Sequence, residues 1–415
     1  MRRGPRVSRV ARRGRKGTGL GTAAGLVLAA WMAQAVAATL GCALYLRLLR
    51  RPQPRPDAAP PVLVAVPVRG SAGLEAFLSA LAAQDYPDWR VVFAVEDSSD
   101  PAFPLLVRFA AARPSRASVV EAGAASARAQ KVQNLLAALP ALRPGDAALV
   151  TLDADTLPPP NTLAELLRPI LAGQADLSSG YRWTLPAAPG AGPLLLSLAE
   201  AGVATLPRCA RCNLCWGGAT AIGRRALGRL DLPRLWERAV SDDLSLSRAA
   251  HRAGLVIYAP LTVRPPSPGR GGVAEALRFG VRQHRLMRLH TPGRWLLAGL
   301  LLTVPAAGAA AAAGLAATGN LAAFACLGSA WLLQRARAAL HAAIARRVLP
   351  ADAAAETTAT FRRGRWWQPA AHALHLSAWI GSAAGRRLDW AGRRYLLGPD
   401  GEVRGVRRLP GGAGA

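Results

Sequence analysis

Apolar and polar positions divide the chain into three parts. Residues 19–46 are almost uninterrupted apolar sequence, residues 62–156 alternate short apolar runs with helical periodicity, and long apolar stretches return after about Pro266. The middle part begins with VLVAVPV at Val62, a run that is typical of a buried strand in a parallel sheet. Because strands and helices alternate from there, we predict a doubly wound α/β sheet with right-handed crossovers.

Acidic residues mark the ends of two predicted strands. The strands after VLVAVPV are WRVVFAVEDSSD, ASVVEAG and DAALVTLDADT, and the intervening helices are LEAFLSALAAQ, AFPLLVRFAAARP and AQKVQNLLAALPAL. Glu96-Asp97 and Asp153-x-Asp155 come where two of these strands end. Ligands of such sheets bind outside the carboxyl ends of the strands, so we expect the functional site there.

Long apolar segments on both sides of this region predict a membrane anchor. A helix that spans a bilayer needs about 20 apolar residues. Residues 19–46 meet this requirement and predict a first transmembrane helix, and 295–317 predict a second. The shorter run 321–333 predicts its partner in a transmembrane hairpin over 291–335. We assign 336–390 to an amphipathic, membrane-associated region, in which WWQPAAHALHLSAWIGSAAG is either a third spanning segment or an interfacial one.

Three basic or Pro-rich segments complete the chain. Residues 1–18 form an arginine-rich arm without apolar periodicity, which predicts disorder. Residues 47–61 include RRPQPRPDAAPP, a sequence typical of a stiff linker. Residues 391–415 are a basic tail, and RRLDWAGRRYLLGPDGEVRGVRR predicts a small strand–turn–strand that reverses at Gly-Pro-Asp-Gly.

The charge balance favours a membrane partner over a nucleic acid. The 415 residues carry a net charge of +28, and Lys16 and Lys131 are the only lysines among 52 basic residues. Aromatic residues make up 6% of the chain and no nucleic-acid-binding module is recognisable, so we predict no nucleic-acid partner. Hydrophobic content of 51% instead suits a bilayer protein whose arginines face anionic lipid.

The sequence VTLDADTLPPP contains the first candidate site. In a turn that leaves the strand, Asp153 and Asp155 can converge on one divalent ion, since Mg²⁺ typically takes one or two carboxylates plus substrate phosphates. The alternative is a solvated turn before proline. Asp97 ends a neighbouring strand, where recognition of a uracil or a ribose needs an acid. Its alternative role is to cap the following helix.

Two predicted helix starts carry further candidates. Lys131 lies in the first turn of a helix, where a compact ammonium and the helix dipole both favour a phosphate. Ser241-Asp242-Asp243 opens another helix, where a carboxylate can act as a general base or simply cap the helix. The alternative for Lys131 is a solvated lysine at the end of a helix.

Two more motifs allow more than one interpretation. RFGVRQHRLMRLH is either an interfacial helix with snorkelling arginines or a cationic clamp for a diphosphate, and the two are compatible. Cys209, Cys212 and Cys215 have a spacing that zinc could use, but no fourth ligand follows them. We favour small packing residues near an acceptor site.

Together the motifs carry a family resemblance. VVFAVEDSSDPAFPLLVRFAAARP, QKVQNL, TLDADT, WGGATAIGRRAL, SDDLSLSRAAHRAG and RFGVRQHRLMR appear in this order. The set resembles the ceramide glucosyltransferase family, including its bacterial hopanoid-associated relatives. The resemblance covers roughly 62–290. It implies an inverting glycosyltransferase of the GT-A fold, with a Rossmann-like, mostly parallel sheet between N-terminal and C-terminal transmembrane helices.

The resemblance also implies a role for individual residues. The implied donor-binding residues are Glu96, Asp97, Lys131, Asp153, Arg282 and Arg285. The implied ligands of Mg²⁺ or Mn²⁺ are Asp153 and Asp155. The implied acceptor-site residues are Trp216, Gly217 and Gly218. Asp243 is the implied catalytic base, with Asp242 beside it. The sequence departs from the family pattern at Leu286, where the (Q/R)xxRW motif has tryptophan, and in having Asp-Asp for Glu-Asp.

The implied reaction moves a hexose, glucose or N-acetylglucosamine, from a UDP-sugar to the hydroxyl of a ceramide-like or hopanoid lipid. The expected location is the cell inner membrane, multi-pass, with the catalytic domain in the cytoplasm. A hairpin after His290 would place every basic segment beyond residue 47 on that side. The alternatives are a processive polysaccharide synthase and a basic membrane scaffold without enzymatic activity.

Overall fold

The computed structural model describes residues 16–51, 58–206, Cys209 and 212–409. Most of the predicted disordered arm and the middle of the predicted linker lie outside the described residues. Residues 16–18 correct the arm's boundary, because they are already helical. The first helix therefore begins three residues before the predicted transmembrane segment.

The elements alternate as predicted between Val62 and Asp155. The strands of this region and of the following part are β1 (Val62–Pro67), β2 (Trp89–Val95), β3 (Ala117–Glu121), β4 (Ala148–Leu152), β5 (Leu177–Ser179), β6 (Trp183–Pro186), β7 (Ala219–Gly223), β8 (Ile257–Tyr258) and β9 (Pro266–Gly269). The helices up to this point are α1 (Lys16–Leu48), α2 (Leu74–Ala82), α3 (Phe103–Ala111), α4 (Gln130–Ala138), α5 (Thr162–Leu171), α6 (Ala191–Ala204), α7 (Arg224–Arg229), α8 (Leu232–Leu235) and α9 (Asp242–Arg252). Both acidic pairs follow the ends of their strands.

Seven strands form one mostly parallel sheet, which confirms the predicted α/β class. Their order is β3-β2-β1-β4-β7-β5-β8. Strand β7 is antiparallel to both β4 and β5, so the other six strands run in one direction. Strands β6 and β9 pair with each other outside this sheet.

Strand β1 shows why the sheet is buried on both faces. Val62 and Val64 pack with apolar side chains of α2, α3 and α5, whereas Leu63 and Ala65 pack with those of α4 and α9. Successive side chains of a strand point to opposite faces, so a continuous apolar run supplies both cores. This two-sided core fixes the starts of α4 and α9 at one edge of the sheet.

The C-terminal half is mainly helical. Its helices are α10 (Val273–His290), α11 (Pro292–Ala317), α12 (Leu321–Val348), α13 (Ala351–Arg363) and α14 (Gln368–Gly381). Helices α1 and α11 contain segments of 27 and 26 residues that are long and apolar enough to cross a membrane. They contact each other closely: Gln34 donates a hydrogen bond to the Leu301 carbonyl at 2.7 Å, and Gly308 lies against Trp31. Small residues at such crossings let helices approach.

Two predictions for this half need correction. The predicted hairpin ends at residue 335, but α12 continues to Val348 because no glycine or proline interrupts it there. Along its whole length α12 is less apolar than the two candidate spans of the described residues, because its second half carries all of its arginines. Its apolar first half packs beside α1 and α11, so α12 can return the chain to the side of the central sheet. Helix α14 has 14 residues, fewer than the about 20 that a spanning helix needs.

The basic tail forms a folded sheet of three antiparallel strands, β10 (Arg387–Trp390), β11 (Arg393–Leu397) and β12 (Val403–Arg408). The predicted turn at Gly-Pro-Asp-Gly joins the last two strands. The first turn was missed because Ala391, at φ 50, occupies a left-handed position that usually takes Gly or Asn. Leu388 and Tyr395 pack into the core beside α4 and α9, so the predicted boundary at 390 cuts through one sheet.

Candidate active site

Three predicted site residues from distant parts of the sequence meet at the carboxyl edge of the sheet. The Lys131 ammonium lies 2.8 Å from an oxygen of Asp153 and 3.4 Å from an oxygen of Asp242. Lys131 comes from the start of α4, Asp153 follows β4, and Asp242 begins α9. We define Lys131, Asp153, Asp155, Asp242 and Asp243 as the acid–lysine cluster.

The turn after β4 is held by backbone contacts. The Asp153 amide donates to the Gly218 carbonyl at 3.1 Å, and the Thr156 hydroxyl donates to the Asp153 carbonyl at 2.8 Å. The Asp153 carboxylate is thus free of these backbone bonds and faces Lys131. Its side chain remains 25% exposed, enough for an incoming ligand to reach it.

A buried amide network fixes the position of Lys131. The Gln130 side chain accepts a hydrogen bond from the Ala125 amide and donates one to Asn134, each at 2.8 Å. Asn134 in turn donates to the Ala94 carbonyl of β2 at 2.8 Å. Burial alone would lower the pKa of the Lys131 ammonium, but the neighbouring carboxylates, Asp153 first, raise it above its usual value. Lys131 therefore carries a fixed positive charge.

Asp243 is oriented by three donors. One oxygen accepts from the Ser241 hydroxyl and from the Leu244 amide, the latter at 2.7 Å, while the other accepts from the Gly217 amide at 3.0 Å. Ser241 is the N-cap of α9 and accepts from the Leu244 amide at 3.3 Å. The capping interpretation therefore holds for Ser241 and, through the same Leu244 amide, for one oxygen of Asp243. Asp243, tied to the loop before β7, stays available as a base.

The predicted acceptor-site residues lie directly against the cluster. A Cβ atom at Gly217 would collide with a carboxylate oxygen of Asp242 and would lie 2.7 Å from the Lys131 nitrogen. Only glycine lets the loop approach this closely. At Gly218 a Cβ atom would collide with the Trp216 ring, which packs 5.7 Å from the ring of Tyr181.

The structure separates the two predicted arginines of α10. The Arg282 guanidinium lies over the Phe279 ring at 5.2 Å and the Trp390 ring at 5.3 Å, and it has no carboxylate within 4.0 Å among the described residues. Burial and the nearby Arg182 charge lower its pKa to about 10. Arg285 instead donates to the carbonyls of Arg387 and Gly381, at 2.6 and 3.1 Å. Its contacts differ from the predicted donor-binding role and tie α10 to the C-terminal segments.

The departure from the family motif at Leu286 has a packing explanation. Leu286 is buried among apolar side chains that also include Leu246 of α9 and Tyr395 of β11. The position thus belongs to the core beside α9. Leu286 therefore serves the packing of α10 on the core, and no aromatic ring stands at this position.

At the end of β2, the two predicted acids have different partners. Asp97 is half-buried, and the Ser99 hydroxyl and amide lower the pKa of its carboxyl group. Asp97 does not cap the following helix, because the N-cap of α3 is Ala102 and no side chain caps it. Asp100 instead holds the preceding turn by accepting from the Ala102 amide at 2.8 Å and from the Gly70 amide at 2.9 Å. Glu96 forms ion pairs with Arg393 and Arg408 of the C-terminal sheet, so it is already neutralised and differs from a free donor-binding acid.

Comparison with known proteins identifies the chain. Residues 27–403 match the model of glycosyl transferase family 21. The chain belongs to this family. It is a glycosyltransferase, and the resemblance of the motifs to the ceramide glucosyltransferase family is confirmed at the level of the family.

Several solved structures resemble this glycosyltransferase. The mannosyltransferase PcManGT from Pyrobaculum calidifontis, in complex with GDP-Man and Mn²⁺, is 22% identical, with 80% of this chain and 99% of that chain covered and a TM-score of 0.48. Glucosyl-3-phosphoglycerate synthase from Mycobacterium tuberculosis is 20% identical, with coverages of 51% and 72% and a TM-score of 0.33. TarS of S. aureus, in complex with UDP-GlcNAc, is 12% identical, with coverages of 84% and 99% and a TM-score of 0.38. No curated protein sequence matches.

A residue of the glycosyltransferase that was missed in the sequence is Arg182. Its Nε atom lies 3.0 Å from Glu200, which also accepts from the Tyr181 hydroxyl at 3.1 Å, and the guanidinium packs 4.5 Å from the Phe279 ring. Its charge acts on both Asp155 and Arg282. The feature of the sequence that could have indicated Arg182 is its position just after β5, because ligand sites lie at the ends of parallel strands.

The acid–lysine cluster fits a divalent ion. The side chain of Asp155 is exposed, and the negative charge of the neighbouring Asp153 raises its pKa, so the two carboxylates repel each other unless a cation lies between them. No group of three His, Cys, Asp or Glu side chains among the described residues is arranged around a metal site. Two carboxylates are nevertheless enough for Mg²⁺ or Mn²⁺ when substrate phosphates supply further oxygens.

The cysteine motif does not show the properties of a zinc site. Cys215 is buried, and no group of three His, Cys, Asp or Glu side chains among the described residues could hold a metal ion. The Cys215 amide donates to the Ser247 hydroxyl at 2.8 Å, which packs the residue against α9. Cys209 and Cys212 are exposed.

The raised pKa of the buried Asp242 predicts that the stability of the fold depends on pH. Burial raises the pKa of this carboxyl group from 3.8 to about 7, despite the opposing Lys131 charge. The folded protein thus holds the proton more tightly than the unfolded chain does. Its stabilising contribution is complete below about pH 4 and is lost as the pH rises through about 7. We expect the unfolding temperature of Asp242→Asn to depend less on pH across this interval than that of the wild type. The control Asp352→Asn, at an exposed position, should keep the wild-type dependence on pH. An unchanged slope in Asp242→Asn would contradict the assignment.

Proposed function

We propose that this glycosyltransferase moves a hexose, glucose or N-acetylglucosamine, from a UDP-sugar to a hydroxyl of a membrane lipid, with inversion at the anomeric carbon. The catalytic region is proposed to have the GT-A fold. The observation that carries the proposal is Lys131 between Asp153 and Asp242, with the oriented Asp243 next to them. A fixed cation among carboxylates suits a diphosphate that arrives with its own metal ion.

The donor would bind along the carboxyl edge of the sheet. Asp97 is half-buried and lies just after β2, at the edge where it could accept from a uracil or ribose group. Lys131 and Arg282 carry positive charge towards the diphosphate, and Asp153 and Asp155 would hold Mg²⁺ or Mn²⁺. When bound, the metal neutralises charge on the leaving diphosphate.

The acceptor would enter beside Trp216 and Gly217. Asp243 removes the proton of the lipid hydroxyl as its oxygen attacks the anomeric carbon from the face opposite the diphosphate. An α-linked donor therefore gives a β-glycoside. The Gly217 amide and the Ser241 hydroxyl keep the Asp243 carboxylate in one orientation during this step.

A lipid acceptor is favoured by the two apolar helices. Helices α1 and α11 can cross a bilayer by length and composition, and α10, which bears Arg282, leads into α11 after only Thr291. The cluster would therefore lie near the membrane surface, where a ceramide-like or hopanoid hydroxyl is available. We place the protein in the inner membrane, multi-pass, with the catalytic region in the cytoplasm, where nucleotide sugars occur.

The test is release of UDP by the protein purified in detergent with Mg²⁺ or Mn²⁺. UDP-glucose, UDP-galactose and UDP-N-acetylglucosamine are each combined with ceramide, a hopanoid polyol and diacylglycerol. We expect lipid-dependent release from one donor, and its loss in Asp153→Asn. Absence of release from every pair, together with no metal-dependent UDP binding, would contradict the proposal and favour a basic membrane scaffold.

A further inference from the structure

The C-terminal sheet reaches the donor edge of the central sheet through buried ionic contacts. Arg393 of β11 is 3% exposed and forms an ion pair with Glu96, which directly follows β2. Arg408 of β12 pairs with the other oxygen of the same carboxylate. A buried arginine is rare unless it is paired, so this contact fixes where the C-terminal sheet docks.

Two further contacts connect this sheet with the diphosphate side of the site. The buried Tyr395 hydroxyl accepts a hydrogen bond from the Gln130 amide at 3.3 Å, one residue before Lys131. The Trp390 ring lies 5.3 Å from the guanidinium of Arg282. One small sheet therefore touches the turn that carries Asp97, the start of α4 and the arginine of α10.

The charges suggest why arginines are used here. Glu96 and Asp97 are adjacent, and a donor with a diphosphate is itself anionic. Two arginines on Glu96 cancel its charge and leave Asp97 as the acid that can accept from the donor. Without them, an uncompensated carboxylate would repel the incoming nucleotide.

We propose that the sheet of residues 387–408 is a positioning element of the donor site, and that Arg393 sets donor affinity by holding and neutralising Glu96. This inference rests on the proposed function and extends it to a segment outside the family motifs found in the sequence. Arg393 acts through Glu96 and is a positioning residue; it takes no part in the bond that breaks.

Arg394 supplies a matched control. It follows Arg393 in β11, its side chain is 42% exposed, and it pairs with Asp389 within the C-terminal sheet. Consecutive residues of a strand point to opposite faces, so Arg394→Gln removes the same charge from the same strand without touching Glu96. Arg393→Lys keeps the positive charge and tests rescue. The exposed Arg408→Gln weakens the same contact with little risk to folding.

The experiment measures UDP binding by calorimetry with Mn²⁺, and KM for donor and acceptor separately. We expect Arg393→Gln to weaken UDP binding and to raise donor KM about tenfold, because a charge-assisted hydrogen bond is lost, while acceptor KM stays unchanged. Arg393→Lys should recover part of the loss. Arg408→Gln should show a change of about threefold, as expected for an exposed pair. Arg394→Gln should match the wild type.

The outcomes separate this inference from the proposed function. The inference is overturned, and the proposed function is left standing, if the wild type binds UDP and the folded Arg393→Gln variant binds it with an affinity within about twofold of the wild type. Equal losses in Arg393→Gln and Arg394→Gln would overturn it too. If Arg393→Gln does not fold, unchanged UDP affinity in both Arg393→Lys and Arg408→Gln overturns it. A wild-type protein that binds no UDP overturns both.

Discussion

Replacement of Asp243 by asparagine is expected to lower kcat about 10³-fold, since general-base catalysis contributes roughly 10²–10⁴-fold. An amide keeps the size of the side chain and can still accept from the Gly217 amide, which now lies 3.0 Å from the carboxylate. It cannot take the proton of the acceptor hydroxyl. Donor binding should change little, because Lys131 contacts Asp153 and Asp242 rather than Asp243. The measurement is steady-state UDP release with the identified donor and lipid.

The matched control for this variant is Asp352→Asn. Asp352 is an exposed acid in the first turn of α13, as Asp243 is in the first turn of α9. It should keep wild-type kcat. Substantial activity in Asp243→Asn, with none in Asp242→Asn, would contradict the assignment of Asp243 and make Asp242 the base.

Replacement of Lys131 by methionine is expected to lower both stability and donor affinity. The ammonium is 15% exposed and lies between Asp153 and Asp242, so its removal leaves two carboxylates close together without a counter-charge. Breaking a buried ion pair on one side costs about 3 kcal/mol. We expect a lower unfolding temperature in the absence of ligand and a loss of UDP binding, measured by thermal unfolding and calorimetry.

A double variant separates the two effects of Lys131. Adding Asp242→Asn removes one of the unpaired carboxylates, so Lys131→Met/Asp242→Asn should regain part of the lost stability. Its UDP binding should stay weak, because the cation that faces the diphosphate is still missing. A double variant with no regained stability would contradict the ionic coupling between these residues.

The sequence predicted well that Lys131 and the acids after the strands meet at one edge of the sheet, because its signals are local. Apolar runs of β1, β2 and β4 end at acids, and the parallel arrangement of these strands brings their ends to one edge. Lys131 could be placed there because its helix follows β3 and begins at the same edge. Such predictions need only the spacing of apolar residues, which identifies strands and helices, and the parallel direction of the strands.

The errors have the opposite origin, since each depends on contacts between distant segments. Arg285 looked equivalent to Arg282 on the pattern of α10, but the carbonyls of Arg387 and Gly381 determine where it points. Glu96 looked like a ligand-binding acid until Arg393 and Arg408 supplied partners. Nothing in the local sequence around these residues indicates which distant segment will pack on them.

The contact between the C-terminal sheet and Glu96 also has a consequence for the order of folding. Arg393 and Arg408 lie 297 and 312 positions after Glu96 in the chain. Helices α11 to α14 are made between them, and long-range contacts of this kind close late. The donor edge is therefore completed only after ribosomal synthesis has passed every apolar helix. A chain whose synthesis stops before Arg393 has Glu96 without either of its arginine partners.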